Sequence, residues 1–110
     1  MSKYDRELYR IKADFCKTLA DPTRQMMIAE LRSGEKTVGE IAEAIEIVQP
    51  AASHHLAVLR AKGVVQARRE GPNVYYSLVN PKIAEACDMV HQILMSQMAK
   101  NREFANRMMA

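Results

Sequence analysis

Between residues 64 and 78 the spacing of apolar residues changes from three and four to two, and it does so once along the chain. Helical spacing lies on both sides of that stretch, so the chain is read as mostly helical with a single β-hairpin inserted late. Residues 64–68 and 74–78 are rich in Val and Tyr, and they flank Arg69-Glu70-Gly71-Pro72-Asn73, a turn cluster. A hairpin is the shortest way to join two such runs.

The helical segments carry their own punctuation. Leu8, Ile11, Phe15 and Leu19 mark one face of a helix over residues 4–19, which Asp21-Pro22 ends. Pro22 then suits the first turn of a second helix, over 22–32, with Ile28 and Leu31 turned inward and Gly34 past its end. Thr37 with Glu40 forms a capping box for a third helix, over 38–45, burying Val38, Ile41, Ala42 and Ile45. After the short turn Glu46-Ile47-Val48, a fourth helix over 49–61 has Pro50 in its first turn, Ala52, Leu56 and Leu59 on one face, and Gly63 beyond it. Asn80-Pro81 opens a last helix striped by Ile83, Cys87, Val90, Leu94 and Met98, whose end, from residue 100 on, is expected to fray. The expected class is α+β, mostly α, in the order α-α-α-α-β-β-α, as one domain over residues 1–110.

Composition narrows the class of function. Hydrophobic residues are 48% and charged residues 26%, which suits a globular chain and argues against disorder. No run approaches the roughly 20 apolar residues of a membrane helix, and the charged start MSKYDRELYRIK is unlike a signal peptide. Two cysteines make no disulfide framework, so a cytoplasmic location without membrane attachment is the expectation. No acid–base pair, nucleophile elbow or phosphate loop suggests an enzyme. The net charge is only +3, but residues 49–76 carry Arg60, Lys62, Arg68 and Arg69 against Glu70 alone. That concentration of positive charge is what contact with phosphate needs.

Two short helices joined by a tight turn and followed by a basic hairpin suit duplex DNA on geometric grounds. The major groove, about 12 Å wide, admits one α-helix. The first helix of the pair braces the second, whose amino-terminal residues then meet base edges. On the fourth helix the core takes the apolar side, which leaves Gln49, Ala51, Ser53 and His54 on the open side. Gln pairs with adenine through both amide groups, and Ala can touch a thymine methyl. His55, about 100° further round, is expected at the helix–helix junction. A polar helix face alone is equally well a solvated surface; the adjoining tip with Arg68, Arg69 and Asn73 favours DNA.

Phe15-Cys16-Lys17-Thr18-Leu19-Ala20-Asp21-Pro22-Thr23-Arg24 resembles the opening of the arsenic-repressor (ArsR/SmtB) family of winged helix-turn-helix regulators. Gln49-Pro50-Ala51-Ala52-Ser53-His54-His55-Leu56, with Val58 to Val65 after it, is similar to that family's recognition helix and exit. The resemblance covers about residues 4–95. It implies a cytoplasmic homodimer that holds a pseudo-palindromic double-stranded operator as a repressor and leaves when an effector binds. It also implies base or phosphate contacts from Gln49, Ser53 and His54, a wing containing Arg68, Arg69 and Asn73, and subunit pairing through first and last helices. Leu8, Ile11, Phe15 and Leu19, with Val90, Leu94 and Met98, are then interface residues. Val48 departs from the family pattern, which often has a capping Ser there.

The family's two usual metal sites are not matched. No cysteine stands at the start of the third helix, and Asp88-Met89-Val90-His91 has the wrong spacing for the site along the last helix. Cys16, Cys87 and His91 remain as effector residues, and three roles stay open for them. They are structural, with Cys87 a small hydrophobe on the apolar stripe; or the cysteines are a redox or persulfide pair; or all three bind a thiophilic metal ion. No other cofactor is expected. Eight methionines are read as fillers of core and interface gaps. The rival to DNA binding is a winged-helix module for protein–protein assembly.

Overall fold

The structure, a computed structural model, describes residues 3–109. Met1, Ser2 and Ala110, the ends of the expected domain, lie outside the described residues. Eight elements follow one another: α1 (Arg6–Leu19), α2 (Pro22–Leu31), β1 (Lys36–Thr37), α3 (Val38–Ala44), α4 (Gln49–Ala61), β2 (Val65–Glu70), β3 (Asn73–Leu78) and α5 (Lys82–Met109). This is the winged helix-turn-helix expected from the sequence, with one strand more.

Local chemistry sets the boundaries. Asp5 accepts hydrogen bonds from the Glu7 and Leu8 amides, which starts α1 at Arg6 rather than at Tyr4. Asp21 caps α2 through the Arg24 amide, with Pro22 in the first turn. Arg24 then reaches back, its Nη1 donating to the Thr18 carbonyl at the end of α1 (3.2 Å). The expected capping box closes in both directions, Glu40 N to Thr37 Oγ1 and Thr37 N to Glu40 Oε1. Hydrogen bonding of the Glu40 carboxyl to the Thr37 backbone amide first, and to the Thr37 side chain second, holds it below its ordinary range. Glu46, at φ 58°, is the one non-glycine residue with a positive φ among those described, and it turns the chain from α3 into α4.

Hairpin pairing runs further than its sequence suggests. Arg69 pairs with Val74 and Glu70 with Asn73, so the five-residue turn cluster shrinks to Gly71-Pro72. Gly71 has φ 59°, and proline's fixed negative φ follows, the order that a two-residue II′ turn needs. β1 adds to the other edge of β3, Lys36 against Tyr76 and Thr37 against Tyr75, giving an antiparallel sheet in the order β1-β3-β2.

The core lies between α2, α3, α4 and this sheet. Met27, Ile28 and Leu31 meet Ile41 and Ala42, then Ala52, Leu56 and Leu59, and Val64 and Val65 close it from below. Val38 and Ile45 pack against its edge. Met27 is the methionine that fills the core; Met26, Met89, Met95, Met98, Met108 and Met109 are exposed, so gap-filling inside the chain does not explain them. From Lys100 on, where fraying was expected, α5 stays helical to Met109, because the segment holds good helix formers and neither Gly nor Pro.

α1 and α5 stand off this core as arms. The radius of gyration is 17.7 Å, against about 13 Å for a compact domain of this length. Leu8, Ile11, Val90, Leu94 and Met98 are each about half exposed or more. Of the seven residues assigned to an interface, Phe15 and Leu19 differ: they are partly buried against the chain's own core.

Val48, the N-cap of α4, has extended backbone (φ −69°, ψ 144°), makes no side-chain cap bond and is 70% exposed. Val48→Ser supplies the missing acceptor without costing the core anything. It should raise stability by about 1 kcal/mol, read as a higher urea midpoint at constant m; an unchanged midpoint would mean that water already satisfies those amides.

Candidate nucleic-acid interface

Packing decides which residues of α4 are open. Ala52, Leu56 and Leu59 are fully buried, so Gln49, Ser53 and His54 project into solvent, and Ala51 is half-buried beside them. His55 is held at the helix junction as expected, its Nδ1 accepting from Arg24 Nε at 3.3 Å. The His54 ring stands edge-on to it, 5.7 Å between centroids. Thus the Arg of Asp21-Pro22-Thr23-Arg24 ties α1, α2 and α4 together, a role that sequence spacing could not disclose.

The basic residues divide into free and engaged. Arg60 on α4 and Arg69 on β2 are exposed and form no ion pair or side-chain hydrogen bond among the described residues. Lys62 pairs with Asp14 of α1 at 3.0 Å. Arg68 is the most heavily engaged: it binds Glu35 through two nitrogens (2.6 and 3.2 Å) and Glu70 through the third (2.6 Å), and it lies 4.9 Å from the centre of the Tyr75 ring. The hydrogen bonds from Arg68 hold the Glu35 carboxyl below its ordinary range, and those to Glu35 and Glu70 raise the guanidinium further above its own. Asn73 sits exposed at the hairpin end.

The structure distributes the three residues expected to serve an effector over two neighbouring hollows. Cys16 and Cys87, both free thiols, line a cavity of about 460 Å³ with Leu19, Ala20, Val90 and Leu94, between α1 and α5. His91 is in a second cleft, of about 390 Å³, where Cys87 meets Met26, Ile28 and Ala29 of α2. Arg32 and Asp88 line that cleft as a two-point ion pair, and Arg32 holds the Asp88 carboxyl below its ordinary range. Among the described residues no group of three His, Cys, Asp or Glu side chains converges for a metal ion. Nor is any described helix long and apolar enough to cross a membrane.

Residues 21–67, from the cap of α2 to the middle of β2, match the family model described as "Bacterial regulatory protein, arsR family". The biofilm growth-associated repressor of Xylella fastidiosa is 38% identical over 85 residues, which are 77% of this chain and 75% of that one. A homodimeric winged helix-turn-helix DNA-binding domain from Mycobacterium bovis, solved by NMR, superposes with a TM-score of 0.78 at 30% identity, covering 89% of this chain and 91% of that one. The crystal structure of the transcriptional repressor BigR from Xylella fastidiosa gives 0.73 at 36% identity, covering 84% and 96%. Gln49 to Leu56 and Asp21 to Arg24 thus sit in the fold and sequence context of those proteins, and the chain belongs to the ArsR family of bacterial transcriptional regulators.

Proposed function

We propose that the protein is a homodimeric repressor that binds duplex DNA and is released by an effector acting where α1 meets α5. One observation carries the DNA-binding part: a helix pinned by three buried side chains presents Gln49, Ser53 and His54 beside a hairpin bearing Arg69. Two copies related by a twofold axis would place two such helices in successive major grooves, about 34 Å apart. Gln49 and Ser53 read bases, and phosphate contacts supply the salt-dependent part of the affinity.

The dimer reading rests on the arms. α1 and α5 expose Leu8, Ile11, Val90, Leu94 and Met98, large apolar side chains of the kind that mark an association surface when they cluster. The Mycobacterium bovis homologue is homodimeric, which supports covering that surface with a second copy. Phe15 and Leu19 would then buttress the arms from beneath.

The cavity shared by Cys16 and Cys87 lies between those arms, so a change there alters the angle between the two reading helices. A coupling of about 1–3 kcal/mol between effector and operator is typical and sufficient for release. Two thiols lining one cavity favour a redox or sulfur effector. A thiophilic metal would need donors from both protomers.

Retention of labelled duplex DNA selected by the protein from a random-sequence pool tests the main reading. Retention should fall steeply as salt rises; none even at low salt would favour a protein–protein assembly module instead. Gln49→Ala should relax the preference at one base position per half-site, at a cost of about 1–3 kcal/mol for the preferred sequence. An unaltered selected sequence would remove Gln49 from the reading residues. Cys16→Ser with Cys87→Ser should leave DNA affinity intact and abolish release by oxidant, sulfide or thiophilic metal, whereas a fully responsive double variant would exclude thiol sensing.

A further inference from the structure

Arg68 and Arg69 are neighbours on β2, yet the strand sends them to opposite faces. Arg69 shares its face with Val65, the side on which β2 meets α4 and the core. Arg68 shares its face with Gln66 and Glu70, directly across from Tyr75 on β3. From there its guanidinium passes Tyr75 to grip Glu35, one residue ahead of β1. β1 runs without a break into α3, whose N-cap is Thr37. One side chain therefore links the outer strand of the hairpin to the segment that enters the helix-turn-helix.

The charge count argues against a simple phosphate contact. Two carboxylates surround one guanidinium, so the cluster carries a net negative charge and repels a DNA backbone. The two-nitrogen grip on Glu35 is the strong, planar form of the arginine–carboxylate pair. A phosphate would have to displace it, whereas Arg69 has no partner to give up among the described residues.

We propose that Arg68 is a positioning residue, a clasp that fixes the angle of the wing against α3, and that Arg69 makes the wing's phosphate contact. This rests on the DNA-binding reading above. It replaces the sequence-based expectation that both arginines touch DNA.

Salt titrations separate the two roles, because each phosphate contact contributes about 0.9 to the slope of log affinity against log salt. The probe is duplex DNA selected by the wild-type protein from a random-sequence pool. Arg69→Gln should lower the slope by about 0.9 per wing engaged. Arg68→Gln should weaken binding about five- to tenfold at every salt concentration, a typical size for indirect coupling, with the slope unchanged. Glu35→Gln should do the same, and the double variant Glu35→Gln/Arg68→Gln should cost no more than either alone, since both break one clasp.

A lower slope in Arg68→Gln, or tighter binding with a steeper slope in Glu35→Gln, would show a guanidinium working on phosphate and overturn the proposal while leaving DNA binding intact. Additive losses in the double variant would overturn it as well. A wild-type protein with no salt-dependent retention would instead fail the DNA-binding reading itself, and this inference with it.

Discussion

Three side chains on α4, Ala52, Leu56 and Leu59, determine the direction in which everything else on that helix points. Each is fully buried against α2, α3 or the start of the sheet. Losing one would cost the transfer energy of its atoms plus that of the cavity left behind, about 2–5 kcal/mol for a buried leucine. Such a penalty leaves the helix one rotation about its own axis. Gln49, Ser53 and His54 are outward for that reason, and not through any contact of their own. Arg24 adds a polar lock to the same seat by holding His55 from α2 while it satisfies the end of α1. The proposed reading surface is thus a by-product of core packing, which gives a short helix the rigidity that selecting a sequence requires.

The same economy leaves the monomer incomplete. The core recruits Ala84 from the first turn of α5 and the edges of Phe15, Leu19, Ile83 and Cys87, after which both arms run free of it. Met89, Val90, Ile93, Leu94, Met95 and Met98 then cover most of the α5 circumference with apolar side chains in solvent. A helix that is apolar on so much of its surface belongs in an interior. In the proposed pair that interior forms only between subunits, so folding and dimer formation are coupled, and the cavity bearing Cys16 and Cys87 lies beside the seam they share.

The parts of this arrangement that were legible in the sequence are those governed by local rules. The capping box at Thr37 and Glu40, the boundaries of α4 and the change of period at residue 64 depend on neighbours in the chain, and the structure repeats them. β1 was not legible: two residues, Lys36 and Thr37, carry no period, and only the unpaired edge of β3 makes them a strand. The hairpin turn looks longer in the sequence than it is, because Arg69, Glu70 and Asn73 resemble turn residues while the ladder between β2 and β3 pairs them. His55, Asp14 and Glu35, which bind Arg24, Lys62 and Arg68, lie 31, 48 and 33 residues from them, and no spacing rule reaches that far. Helix stripes disclosed the arms; which stripe residues turn inward, as Phe15 and Leu19 do, required the packed core.

Charge shows the same division between what is local and what is folded. Four basic residues between positions 49 and 76 look like a phosphate-binding stretch when counted along the chain. Folding commits two of them internally, Lys62 to Asp14 and Arg68 to Glu35 and Glu70, and leaves Arg60 and Arg69 open. In the proposed dimer that makes four free charges from this stretch, enough for a salt slope of about −4 rather than about −7. A modest electrostatic hold is weak on DNA of arbitrary sequence, so more of the discrimination must come from base contacts on α4. On the proposed mechanism, a small change in the angle between the two reading helices would then suffice for release, because little sequence-independent affinity from this stretch remains to hold the protein in place.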